Sequence, residues 1–468
     1  MARTLSAPYA RRMHLRSRIL RAAVVLAVAE SVVALVPSLR SPTGALASVL
    51  VTATPGPIAT WFLQLLRSAA RPVTVVVSAA LLVGLLALVS APLVRPRADR
   101  EDAREDAEVP TDAADTPVIS RRALVAGLGL GGAVVIGMAM LLRPRSLTTT
   151  VELAERMRAA RGLPPLTPEQ DLSDRIAGLS PTLTPVDRFF RIDTAIAIPR
   201  VDASSWRLRV HGLVEQDVVL EMAALVDLGL EEHDATICCV SNEVGGGLVG
   251  TARWTGVPLS RVLDLARPLA GADQLVGRSV DGWTAGFPTE LAWAPDVLVA
   301  IGMNGVELPP RHGHPARLIV PGLYGYVSAT KWLSDIELTR WDTYDAYWIR
   351  RGWAKRGPVK TMTRIDVPGR TVTPGTVRVA GVAWAPDRGI RSVELRVDGG
   401  AWRPATCSDP LGDATWRQWW IDVVLDDGEH TLQARAIDGT GALQPEGPRD
   451  VLPDGAEGWH AVRVLARS

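Results

Sequence analysis

Ala235 to Gly246 reads ATICCVSNEVGG and sets two of the chain's three cysteines side by side. Asp234 to Val240 has the short apolar run of a strand, in which successive side chains point to opposite faces. Cys238 and Cys239 therefore cannot both face one site, and adjacent cysteines do not readily bridge each other. The strand runs into Ser241-Asn242-Glu243-Val244-Gly245-Gly246-Gly247, a loop type that lets backbone approach a ligand closely. On the residues alone, a thiol there is either held for chemistry or is a small buried hydrophobe.

Outward from that stretch, the chain divides into two compositional halves. Of 15 tryptophans only Trp61 precedes Trp206. With 468 residues the chain has room for two or three domains. Its formal charge of +1 and the lack of a basic, aromatic-interleaved stretch argue against a nucleic-acid partner. Three cysteines exclude a disulfide framework.

Residues 1–145 read as a membrane anchor of three to four transmembrane helices. Val73 to Val94 and Ala123 to Leu142 carry no charge and are long enough to cross a hydrocarbon core. Leu20 to Leu39 is a third candidate, with Arg21 at its edge and Glu30 inside. Ala45 to Leu66 holds Pro55, Gly56 and Pro57 at mid-depth, which suits a re-entrant or interfacial segment. Arg3, Arg11, Arg12, Arg16, Arg18 and Arg21 put the N-terminus in the cytoplasm. A polar, charged loop, 95–122, then leads to the last span. The expected location is the cell membrane, multi-pass, with everything after that span on the extracytoplasmic face. Ser120-Arg121-Arg122 before the apolar run reads as an internal twin-arginine export signal or as two flanking stop-transfer arginines.

Residues 146–183 read as a charged helical tether. From 184 to 357, WRLRVHG, DATICCV, ARLIVPG and WLSDIELT suit strands and PLSRVLDL a short helix, an α+β domain. From 358 to 468 only strands and Gly/Asp turns remain, with a hairpin signal at Asp398-Gly399-Gly400, the pattern of an all-β immunoglobulin-like sandwich. Cys407 falls there and carries no chemistry in this reading.

Four blocks in order carry a resemblance: CVSNEVGG from Cys239, ARWTGVPL from Ala252, HPARLIVPGLYG from His314 and KWL from Lys331. Together they resemble the sulfite oxidase-type molybdopterin oxidoreductases, over about Thr184 to Ser468. The resemblance implies an α+β molybdopterin-binding domain and a C-terminal dimerisation domain, hence a homodimer. It implies a molybdenum–molybdopterin cofactor with Cys239 as the metal's thiolate ligand, a soft donor suited to such a metal, and Cys238 facing away. Phe190 and Arg191 (in DRFFRIDT), Ser279, His312, Arg317, Ser328, Thr330 and Lys331 match cofactor contacts. An arginine fork and a lysine point charge suit phosphate. Arg317 otherwise reads as a surface ion pair. His312 with His314 is two histidines, short of a zinc site. Tyr324 either reaches the molybdenum site or packs under its loop, and Arg253 either meets substrate or is a turn residue. Arg350 and Arg351 are further candidates. No haem ligand pair is evident.

The implied activity is oxygen-atom transfer, with sulfite oxidation first and sulfoxide reduction as the alternative. The implied electron partner is a quinone or cytochrome in the membrane. A non-enzymatic reading, a membrane-tethered immunoglobulin-like binding protein, fits the anchor and sandwich but not the cysteine block.

Overall fold

The computed structural model describes residues 147–468 except 161 and 196. The candidate spans, the arginine clusters, the charged loop and the Ser120-Arg121-Arg122 motif lie outside the described residues. Among the described residues no helix is long and apolar enough to cross a membrane. All described residues belong to one compact unit.

Helix α1 (Leu147–Ala159) presents Leu153 and Met157, one turn apart, to the main core. Then come β1 (Arg207–Gly212), β2 (Val218–Glu221), α2 (Met222–Asp227), β3 (Glu231–Cys238), β4 (Val249–Pro258) and α3 (Leu259–Ala266). Pro258 precedes α3, where its missing N–H costs nothing, and Leu259, Val262, Leu263 and Ala266 make the buried stripe. Next are β5 (Gln274–Ser279), β6 (Thr284–Pro288), β7 (Leu298–Met303), β8 (Val306–Glu307), β9 (Arg317–Ile319), α4 (Gly325–Ser328) and β10 (Leu333–Thr339).

These strands form two sheets. One has the order β2-β1-β10-β5-β6, with β1 and β10 parallel. The other runs β3-β4-β7-β8, with β9 on β7. A core of Leu208, Leu225, Leu259, Leu263, Leu275 and Ile301, all fully buried, fills the space around the helices. Each such side chain contributes about 1.5–3 kcal/mol of transfer free energy.

The remaining strands are β11 (Met362–Val367), β12 (Thr371–Val372), β13 (Gly375–Trp384), β14 (Ile390–Val397), β15 (Arg403–Pro404), β16 (Thr406–Cys407), β17 (Arg417–Leu425), β18 (Gly428–Asp438) and β19 (His460–Ala466). They make a two-sheet sandwich, β11-β13-β17-β16 over β12-β19-β18-β14-β15. Asp398 and Gly399 turn β14 into β15 with positive φ at both positions, as the hairpin signal required.

The segment read as a tether is built into the structure. Leu172, Ile176 and Leu179 pack on the sandwich beside Ala380 and Trp420. Fully buried Gln418 accepts from the Leu172 amide (2.6 Å) and donates to the Ser180 carbonyl (2.7 Å).

Candidate active site

The register of β3 against β4 decides which residues can meet. Ala235 and Ile237 pair with Ala252 and Gly250, and two residues before Ala235, His233 pairs with Trp254. That face packs on Phe189 and Ile319. Asp234, Thr236 and Cys238 point the other way, toward the sandwich, where the Trp416 amide donates to Thr236 Oγ1 (2.7 Å). Cys238 is buried with Tyr324, Trp353 and Trp384. Cys239 follows the strand end, is partly exposed, and is held by its amide donating to the Leu248 carbonyl (2.9 Å). Burial raises the Cys239 thiol pKa, while hydrogen bonds from Ser241 and the Lys331 charge pull it back.

On the Trp254 face lies a cluster of buried polar groups. His312 is fully buried. Its Nε2 donates to the Val186 carbonyl (3.1 Å), and its ring meets Phe189 edge-on at 5.7 Å. Nδ1 is then a bare acceptor with no partner. Burial, then the Arg317 charge, hold its pKa down at about 4. Arg317, 3 % exposed, sits over the Trp254 ring at 5.0 Å and donates to the His312 carbonyl (3.1 Å). Its Nε has no partner, and no carboxylate among the described residues pairs with it. Burial lowers its pKa to about 9, which leaves it charged at neutral pH. Thr330 Oγ1 is buried without a partner. Lys331 Nζ meets Asp193 at 3.1 Å, and burial lowers its pKa to about 8. Gly313, at φ +112°, closes the group: a Cβ there would lie 3.1 Å from that of Lys331 and 3.2 Å from that of Arg317.

A buried guanidinium such as Arg317, with an Nε that finds no acceptor and no carboxylate among the described residues to neutralise it, is costly unless an anion arrives. The cluster therefore fits the phosphate of a bound group, with the Lys331 charge acting on both the cluster and the Cys239 thiol.

The structure brings His312, Arg317 and Lys331 together, with Phe190 stacked on Phe189 (5.2 Å) and Arg191 paired to Asp193 (2.8 Å) at the edge, whereas the Thr330 hydroxyl faces Gly277 of β5. Arg317 is thus no surface ion pair. Ser279, buried at the end of β5, accepts from the Asp281 amide (3.4 Å) in a turn. Ser328 Oγ donates to the Tyr324 carbonyl (3.0 Å) within α4.

Two expectations are corrected by placement. Arg253 pairs with Asp234 through both Nε and a terminal nitrogen (2.9 Å each) and donates to the Leu163 and Pro164 carbonyls. Strand alternation puts it on the face opposite the cluster. The Tyr324 hydroxyl is turned to the sandwich junction, accepting from the Lys360 amide (3.5 Å) beside Gly455. The histidines also part: His314 pairs with Glu307, and among the described residues no three ligands make a metal site. Arg351 lies over the Tyr347 ring, and Arg350 is exposed.

Sequence reasoning missed Trp254, Phe189 and Asp193. Trp254 was legible in principle, since it shares alternation parity with Ala252. Asp193's pairing with Lys331 spans 138 residues and left no local signal.

A family model described as "Oxidoreductase molybdopterin binding domain" matches residues 195–348. The chain is 30% identical over 318 residues to sulfite oxidase of Gallus gallus, covering 56% of this chain and 68% of that one. It is 28% identical over 340 residues to mitochondrial sulfite oxidase of Homo sapiens, covering 60% and 61%. It thus spans about three fifths of the human protein's length. The crystal structure of the sulfane dehydrogenase SoxCD from Paracoccus pantotrophus matches with TM-score 0.55 and 24% identity, over 61% of this chain and 82% of that chain, a likeness of fold.

Proposed function

The chain belongs to the sulfite oxidase-type family of molybdopterin-dependent oxidoreductases, and from that premise we propose that it catalyses oxygen-atom transfer with sulfite as the leading substrate. The family implies a molybdenum–molybdopterin cofactor. The observation that supports the reading is buried Arg317, which no carboxylate among the described residues neutralises, packed with His312 beside Lys331. These residues would hold the phosphate end of the pterin, and Cys239 would ligate the metal. When bound, the group supplies two-electron redox and oxygen-transfer chemistry.

The chain's own residues orient and neutralise. Arg317 and Lys331 offset the phosphate charge in a site where burial strengthens every electrostatic contact. His312 must take a proton at Nδ1 before it can donate to a phosphate oxygen, and the incoming anion favours that proton. In the sulfite reaction one oxygen, drawn from water, is added to sulfur, and two electrons and two protons leave. The electrons would pass to a quinone or cytochrome in the membrane. In this reading the N-terminal apolar stretches anchor the chain, the catalytic part lies on the extracytoplasmic face, and the sandwich pairs two copies.

One observation favours sulfoxide reduction as the second reading. Arg253, the arginine expected to meet an oxyanion substrate, is turned away and already paired with Asp234.

The test is metal and pterin content, then turnover with sulfite and with sulfoxides. Wild type from a molybdopterin-competent host should hold about one molybdenum and one pterin per chain. Cys239→Ser should lower turnover by about 10³-fold or more, and Cys238→Ala by less than about threefold. Wild type that folds but holds neither would overturn the proposal, and equal losses in the two variants would overturn the assignment of Cys239 over Cys238 as the ligand.

A further inference from the structure

The loop that follows Cys239 is closed on itself. The Asn242 amide donates to the Cys239 carbonyl (3.0 Å), and Asn242 Oδ1 accepts from the Leu248 amide (2.7 Å). The Leu248 carbonyl in turn holds the Cys239 amide. The tip of this loop rests on the sandwich, at two independent points. Arg364 of β11 donates to the Gly246 carbonyl (3.0 Å). It is itself fixed by Asp366 (2.6 Å) and by Ser180 Oγ (2.8 Å) of the N-terminal segment. His460, first residue of β19, accepts from the Ile365 amide through Nδ1 (2.9 Å). That turns its Nε2 edge to Gly245, where φ is +75° and a Cβ would overlap the ring. Nearby Gly458 lies close to Val244, with 3.6 Å between an added Cβ and Cγ2.

We propose that Arg364 and His460 are positioning residues for Cys239: the sandwich holds the Gly245–Gly246 tip and thereby sets where the thiol at the root of the loop points. The proposal rests on the reading of Cys239 as the cofactor's ligand. Neither residue touches the cluster at His312. Both act through a loop of ten residues, Cys239 to Leu248, whose ends are joined by the Cys239–Leu248 hydrogen bond. The glycines serve this contact. Gly245 admits the ring, and Gly246 lies against Asn242 Oδ1, where a Cβ would sit 2.7 Å away.

The experiment uses the full chain in two forms. In protein from a host unable to make molybdopterin, alkylation of each cysteine by iodoacetamide is followed by peptide mass spectrometry. Arg364→Ala and His460→Ala should each raise the Cys239 rate about tenfold while Cys407 stays at its wild-type rate. In loaded protein Arg364→Ala should lower kcat about tenfold with KM within about twofold, and Arg364→Lys should recover part of the loss. Arg378→Ala, an exposed sandwich pair with Asp422, should change none of these. If Arg364→Ala does not fold, Arg364→Lys and His460→Ala give the same reading. A Cys239 rate within about twofold of wild type, or a parallel rise at Cys407, would overturn the proposal. The alkylation arm needs no metal, so it stands apart from wild-type molybdenum content, which tests the cofactor reading.

Discussion

At the scale of single residues, burial turns ordinary side chains into a site. Arg317 and His312 were nominated from their place in RHGHPARLIVPG, but their state follows from being sealed without a counter-ion. A buried ion costs several kcal/mol. The Trp254 stack and the bond to the His312 carbonyl return about 2 and 1 kcal/mol. Arg317→Met should therefore leave cofactor-free protein as stable as wild type or more so, while pterin content falls more than about tenfold. Thermal melts and pterin fluorescence read both, and a large loss of cofactor-free stability would sink this account. His312 adds a pH signature. Its folded pKa, about 4, lies below the ordinary 6.5, so the unfolded chain binds the extra proton first. Stability from this residue is present above pH 6.5 and is lost as pH falls toward 4. Cofactor-free protein should lose about 2 kcal/mol between pH 7 and 5 from His312 alone. His312→Gln should flatten that slope in urea titrations; an unchanged slope would rule out His312 as its source.

At the scale of elements, the site is a matter of strand parity and one loop. Alternation along β3 sent Cys238 to the sandwich, and the paired strand carried Arg253 to that same side. The spacing of Cys239 and Arg253 in sequence held this information, but only once the register 234↔253 was known. Tyr324 illustrates the opposite limit. Its motif position is the N-cap of α4, yet its hydroxyl direction is set by Gly455 and Lys360, which no local pattern links to it. Gly313 shows where local chemistry does suffice, because a φ of +112° demands glycine. Gly313→Ala should cost about 2 kcal/mol through backbone strain and crowding of Lys331 and Arg317. It should lower pterin content more than a surface Gly→Ala at Gly369 does; comparable effects at the two sites would contradict the crowding.

At the scale of the whole molecule, the described chain is joined by polar contacts that cross long sequence separations. Gln418 binds both ends of the 172–180 segment from 246 and 238 residues away. Gln418→Ala would leave a buried amide and carbonyl unsatisfied, at about 2–4 kcal/mol. Trypsin should then cut at Arg175 about tenfold faster, as limited proteolysis would show, whereas an unchanged rate would mean that apolar packing alone holds the segment. Hydrophobic periodicity and turn residues determined by themselves the α+β and all-β parts and the Cys239 strand end, because those depend on neighbours a few residues apart, while His312, Arg317 and Lys331 were nominated only through the resemblance of the ordered motif blocks. Tertiary structure alone decided which face each strand residue takes, that Arg317 has no counter-ion, that Arg253 and Tyr324 are turned away, and that the sandwich grips the cysteine loop. Each of these depends on which distant segment fills the space opposite a side chain, and that space exists only after the sheets have packed.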